Sequence, residues 1–172
     1  MSATASTLRD YFKFARNWFE GTMQGVTPEL AHWQAGGKTQ PIAANYIHVL
    51  TSEDILMNAI IRGDVPLMAS TCAGKTGFNE APPPGNRDDW ASNIKVDLDA
   101  ARGYAQAVYA ATDAYLASAS DDDLNRIVDL TGMGFGMQPV SFVLDLLLLN
   151  IHNHCGEISC LKGLKGLQGY PG

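Results

Sequence analysis

Four histidines, His32, His48, His152 and His154, are the side chains best suited to chemistry near neutral pH in this chain. An imidazole can move a proton, and in its neutral form it binds zinc, nickel, copper or iron. His152 and His154 sit within Asn150-Ile151-His152-Asn153-His154-Cys155-Gly156-Glu157. The pair suggests a chelate, but residues two apart on a regular helix do not share a face. With Asn150 set at zero on a helical wheel, His154 falls at about 40° and His152 at about 200°. Val143, Leu147, Ile158 and Leu161 fall at about 20°, 60°, 80° and 20° and define the buried side. His154 is therefore expected to face the core, with Asn150 one turn before it, and His152 to face away.

This leaves His48, Asn150 and His154 as the candidate metal set. A catalytic zinc site usually has three protein ligands and an open position for water. The amide of Asn150 is a weak third ligand. Glu53, five residues after His48, and Glu157, three after His154, are candidate carboxylates to orient the imidazoles. The competing reading is that His48 and His154 are hydrogen-bonded core residues. His152 reads as a surface or subunit-contact residue, and His32, beside Trp33, as local packing. Cys155 lies at the edge of the buried face and reads as a packed thiol. Cys155 and Cys160 are about 140° apart on a helix and cannot pair within it. With Cys72 they make an odd set without a disulfide pattern, which suits a reducing cytoplasm.

Other motifs carry less. Gly74-Lys75-Thr76 resembles the end of a phosphate loop, but Ala69 stands where its first glycine belongs and no strand precedes it. Gly132-Met133-Gly134-Phe135-Gly136 reads as a turn, and Ser141 lacks a nucleophile elbow.

The elements that must position the histidines follow from periodicity. Ser6 or Thr7 can cap a first helix to about residue 23, with Leu8, Tyr11, Phe12, Ala15, Trp18 and Phe19 on its apolar stripe. Thr27-Pro28 opens a short turn of helix. Pro41 opens a helix that ends near Gly63 and carries His48. Residues 64–91 are the least regular part. Pro82-Pro83-Pro84 cannot lie in a helix interior, and so long a connection is either a surface loop or a lid or site wall. A third long helix is expected from near Ser92 to Ser118, with Leu98, Ala101, Tyr104, Ala105, Val108, Ala111 and Tyr115 inward. Asp121-Asp122-Asp123 starts a short segment. A short turn or hairpin is expected before Pro139 opens the last helix. Four long helices in one domain, 1–172, predict an all-α, antiparallel four-helix bundle.

The 172 residues carry a net charge of −6, with the 12 Lys and Arg scattered, so no basic face for nucleic acid is expected. No apolar run reaches the roughly 20 residues of a membrane span. Residues 1–6 lack a positive segment leading into an apolar one, so no signal peptide is expected.

Several short motifs, in order, resemble the DinB-like (DinB/YfiT) superfamily. Trp33, the gap to Pro41 and Asn45-Tyr46-Ile47-His48 are similar to the family's approach to its helix-two histidine. The step from His48 to Glu53 fits as well. Asp122-Asp123-Leu124-Asn125 through Gly136-Met137 is similar to its polar-to-glycine segment, and His154-Cys155-Gly156-Glu157-Ile158 to its His-Arg-Gly-Gln-Ile signature. The resemblance implies a divalent metal, zinc or nickel, held by three histidines, which fall here on His48, Asn150 and His154. The chain departs from the pattern at Asn150, Cys155 and Glu157, so occupancy of the site is in question. The resemblance also implies a homodimer through helix faces, with His152 and Gly156 on one outward face.

Two functions follow. One is a metal-dependent enzyme, a thiol S-transferase or a hydrolase acting on a small molecule, with Tyr46 and Trp90 at the mouth of its pocket. The other is a non-catalytic small-ligand-binding or stress-response dimer with a degenerate metal site, in which the histidines are structural.

Overall fold

The structure is a computed structural model and describes residues 2–172. Helix α1 spans Ala3–Thr22 and starts earlier than Ser6, because the Ser2 hydroxyl caps it by accepting from the Ala5 N–H at 3.1 Å. The added turn buries Ala5, and the Ser2 N–H binds the Ala119 carbonyl. Helix α2, Pro28–Ala31, is capped by Thr27 as expected.

Helix α3, Ile42–Asp54, continues as a π-helical stretch, Ile55–Arg62, which Gly63 closes at φ +71°. At that junction the buried Asp54 carboxylate accepts from Asn58, the Leu67 and Met68 N–H groups and the Tyr104 hydroxyl. A carboxylate offers about four acceptor sites, so this one is saturated. It pins the start of the long connection, a 3₁₀ turn at Leu67–Ala69.

The long helix expected from Ser92 is two helices. Helix α4, Asp88–Asn93, is separate from α5, Leu98–Ser118. The segment between them is held extended by distant partners: the Val96 N–H donates to His32 Nε2 at 3.0 Å and the Asp97 N–H to the Gly77 carbonyl at 2.7 Å. The Asp97 carboxylate then caps α5 through the N–H groups of Asp99 and Ala100.

Helix α6, Asp121–Asn125, opens with a capping box between Ser120 and Asp123. Strands β1, Ile127–Leu130, and β2, Gly136–Pro139, form an antiparallel hairpin with Ile127 opposite Pro139 and Leu130 opposite Gly136. The fold is therefore mostly helical rather than all-α. Val128 and Leu130 alternate inward along β1, and Arg126 ties the hairpin to the Ile61 carbonyl at 2.5 Å.

Helix α7, Val140–Leu164, carries Asn150 and His154. Both α1 and α3 pack against α5 and α7. The core between them includes Phe12, Phe19, Ile47, Leu50, Val108, Leu144 and Ile158. Near the end of α7, the buried Lys162 ammonium donates to the carbonyls of Thr22, Gln24 and Gly169 at 2.7, 2.9 and 3.3 Å. A cation there satisfies carbonyls that the end of α1 leaves open. Among the described residues, no helix is long and apolar enough to cross a membrane.

Candidate functional site

His48 on α3 and His154 on α7 meet edge to face, with ring centres 4.9 Å apart and planes at 81°. The wheel argument for His154 describes its position well: its side chain is 15% exposed. Asn150, one turn earlier, places its amide dipole beside the His48 ring, where it favours the protonated form. Its Nδ2 is buried with no acceptor. Glu157 holds the other end of the array, with Oε2 2.7 Å from His154 Nδ1. This contact keeps the Glu157 carboxyl below its ordinary range. His48, Asn150, His154 and Glu157 are thus brought together.

Glu53 is not part of this group. A five-residue step turns about 140° around a helix, and the buried Glu53 carboxylate faces α1 and α5. There the Arg16 guanidinium and the Thr112 hydroxyl (2.7 Å) donate to it. Ser52 takes the place expected of it, with Oγ 3.3 Å from His48 Nδ1.

The strongest partner of His48 was not expected from the sequence. Arg87 comes off the proline-rich connection and sets Nη1 2.7 Å from His48 Nδ1 and 3.1 Å from Nε2. Its Nε donates to the Pro83 carbonyl at 3.4 Å. A nitrogen this near both ring nitrogens lies out of the ring plane, and its positive charge there opposes protonation of the imidazole. Burial, then the Arg87 charge, then His154 push the His48 pKa down to about 3. The imidazole is neutral at physiological pH. A lone arginine in an irregular loop has no period to announce it; the length of the connection was the one signal, and Pro82, Pro83 and Arg87 line the cavities beside His48.

Two cavities share His48 and Arg87. One, about 480 Å³, carries the polar side chains Lys38, Asn45, His154 and Glu157, with Cys160, Leu161 and Leu164 also on its wall. The other, about 610 Å³, is bordered by Ile55, Leu56, Met133 and the three prolines Pro82, Pro83 and Pro84. Both fall within the range of small-molecule sites. Among the described residues, no cluster of three or more His, Cys, Asp or Glu side chains converges as a metal site would require.

Tyr46 and Trp90 do not line the mouth. Tyr46, two residues before His48, points to the opposite side of α3, is fully buried and donates to the Glu20 carboxylate at 3.1 Å. Trp90 is buried and donates to the Glu80 carbonyl at 3.0 Å. His152 is turned from the cavity as expected, yet it is half-buried against Tyr11, 5.7 Å between ring centres. His32 packs locally, with Nδ1 2.7 Å from the Pro28 carbonyl, and also reaches Val96. Cys155 is buried, which pushes its thiol pKa up to about 11, and all three cysteines are free.

The family model described as the DinB superfamily matches residues 11–158. No curated protein matches the sequence. Among solved structures, the chain is similar to a conserved protein from Enterococcus faecalis, with a TM-score of 0.79 at 17% identity, covering 95% of this chain and 97% of that one. It is also similar to a DinB-like protein from Bacillus subtilis, with a TM-score of 0.64 at 16% identity over 96% of each chain. At these identities the structures speak for the fold alone, while the family match spans most of the sequence; the chain belongs to the DinB superfamily.

Proposed function

We propose that this DinB-superfamily chain binds a small organic molecule in the cavity at His48 and His154, and does so without a divalent metal at its centre. The observation that carries this reading is the Arg87 guanidinium, 2.7 Å from His48 Nδ1. A dication bound to the same ring would sit within a few ångströms of a fixed positive charge, in a half-buried site where screening is weak. The rest of the donor set lacks a third strong ligand, because the third position is the amide of Asn150. In this reading the four long helices act as a rigid antiparallel bundle, and the imidazoles are neutral hydrogen-bonding groups of the cavity wall.

One observation favours the metal-dependent reading. A carboxylate on the second nitrogen of an imidazole is the usual support of a metal-ligating histidine, and Glu157 stands in that relation to His154. In that case the chain would be a transferase or hydrolase using zinc or nickel. Metal analysis of protein purified without a histidine tag decides between the two. The expected result is metal far below one equivalent, rising in the Asn150→His, Arg87→Ala double variant. One equivalent of metal in the wild type, lost in His48→Ala and in His154→Ala, would overturn the proposal.

A further inference from the structure

Arg87 is a charge without a counter-charge. Among the described residues, no carboxylate lies within ion-pair distance of its guanidinium. Its protein partners are a neutral imidazole and one carbonyl, and its Nη2 has no protein acceptor among the described residues. The side chain is half-buried where the two cavities meet. Lys38 adds a second positive charge to the polar cavity. The one acid there, Glu157, is engaged by His154. The polar cavity is therefore rich in donors and short of negative charge. The adjoining cavity has Ile55, Leu56, Met133 and the prolines Pro82 to Pro84 on its walls, beside Thr51 and Ser52, and among the described residues Arg87 is the one charged side chain lining it. His48 and Arg87 stand on the boundary and belong to both.

We infer that the ligand is an amphipathic anion: a small carboxylate whose head pairs with Arg87 and faces Lys38, and whose apolar chain lies along the proline-walled groove. A guanidinium matches a carboxylate in a two-pronged contact, which an alcohol or an amine cannot reproduce. The inference rests on the metal-free reading above, because a bound dication would itself draw the anion and leave Arg87 without that part.

The test is thermal unfolding of the whole chain with octanoate, octanol or octylamine, each with and without EDTA, together with iodoacetamide labelling of Cys160, which lines the polar cavity. Octanoate well above its dissociation constant should raise the midpoint by roughly 5 °C in EDTA. Octanol and octylamine should do much less, octanoate should slow Cys160 labelling, and Arg87→Gln should weaken octanoate binding on the order of tenfold. If Arg87→Gln fails to fold, Lys38→Gln in its exposed loop and Cys160 protection in the wild type carry the test. With EDTA present, an equal effect of octanol or unchanged binding in Arg87→Gln, or no effect of octanoate either with or without EDTA, would each overturn the anion assignment and leave the metal-free reading standing. Octanoate binding that EDTA abolishes and Arg87→Gln leaves intact would overturn both.

Discussion

The rings of His48 on α3 and His154 on α7 meet edge to face, 4.9 Å centre to centre, and of the two it is His154 that has a carboxylate partner, Glu157. Arg87 Nη1 also comes within 2.7 Å of the His48 ring, so His48 has both a second imidazole and a cation as neighbours. Protonating it in the folded state would set positive charge against positive charge in a buried place.

That arrangement makes acid stability a readout of the site. The folded His48 pKa, about 3, lies below the ordinary 6.5, so between these values the unfolded chain binds the extra proton. Stability is complete above about pH 6.5 and falls as pH drops toward 3, by at most about 1.4 kcal/mol per pH unit from this group. Glu20 works in the opposite sense, since burial raises its carboxyl, so the comparison needs a variant. Urea unfolding at pH 7, 5.5 and 4.5 should give a steeper acid loss for the wild type than for His48→Gln. Parallel profiles would mean that the ring titrates freely.

The Glu53 carboxylate belongs to a different network, and a stability measurement should separate it from the site. Arg16 also donates to the Tyr109 carbonyl at 3.3 Å and lies over the Phe12 and Tyr109 rings. Glu53→Leu strands a buried guanidinium and should cost about 3–5 kcal/mol in urea unfolding. Arg16 Nε and Glu53 Oε2 lack partners even in the native pair. The double variant Arg16→Met, Glu53→Leu should therefore be more stable than Glu53→Leu alone. A double variant that is less stable would contradict this account.

The two cysteines of α7 should react at very different rates. Cys160 is exposed at the polar cavity, whereas Cys155 is buried with its thiol pushed up to about 11. Only thiolate reacts readily. Mass spectrometry after brief iodoacetamide treatment at pH 8 should find Cys160 modified at least about tenfold faster than Cys155. Equal rates would mean that the end of α7 opens easily.

How much of this was legible in the chain differs from residue to residue. Three-and-four spacing along a single helix was enough to turn His154 and Asn150 inward and His152 away from them. Capping chemistry marked Thr27, Pro41 and Pro139, and the glycine run marked the turn between β1 and β2. These are local properties, because helix geometry relates neighbours on one element with no reference to any other. The family signature also lay in short ordered motifs.

What lay beyond local reading was decided between elements. The five-residue step from His48 to Glu53 could not reveal that Arg16, on another helix, would claim the carboxylate. The break between α4 and α5 depends on His32 and on the Gly77 carbonyl, each remote in sequence. Tyr46 looked available until Glu20 took its hydroxyl. Arg87 sits in a proline-rich loop with no repeat to orient it, and only the path of that loop across α3 sets its charge against His48. Direction within an element follows from backbone geometry; which side chain from elsewhere meets it depends on how the elements pack, and that is a property of the whole chain.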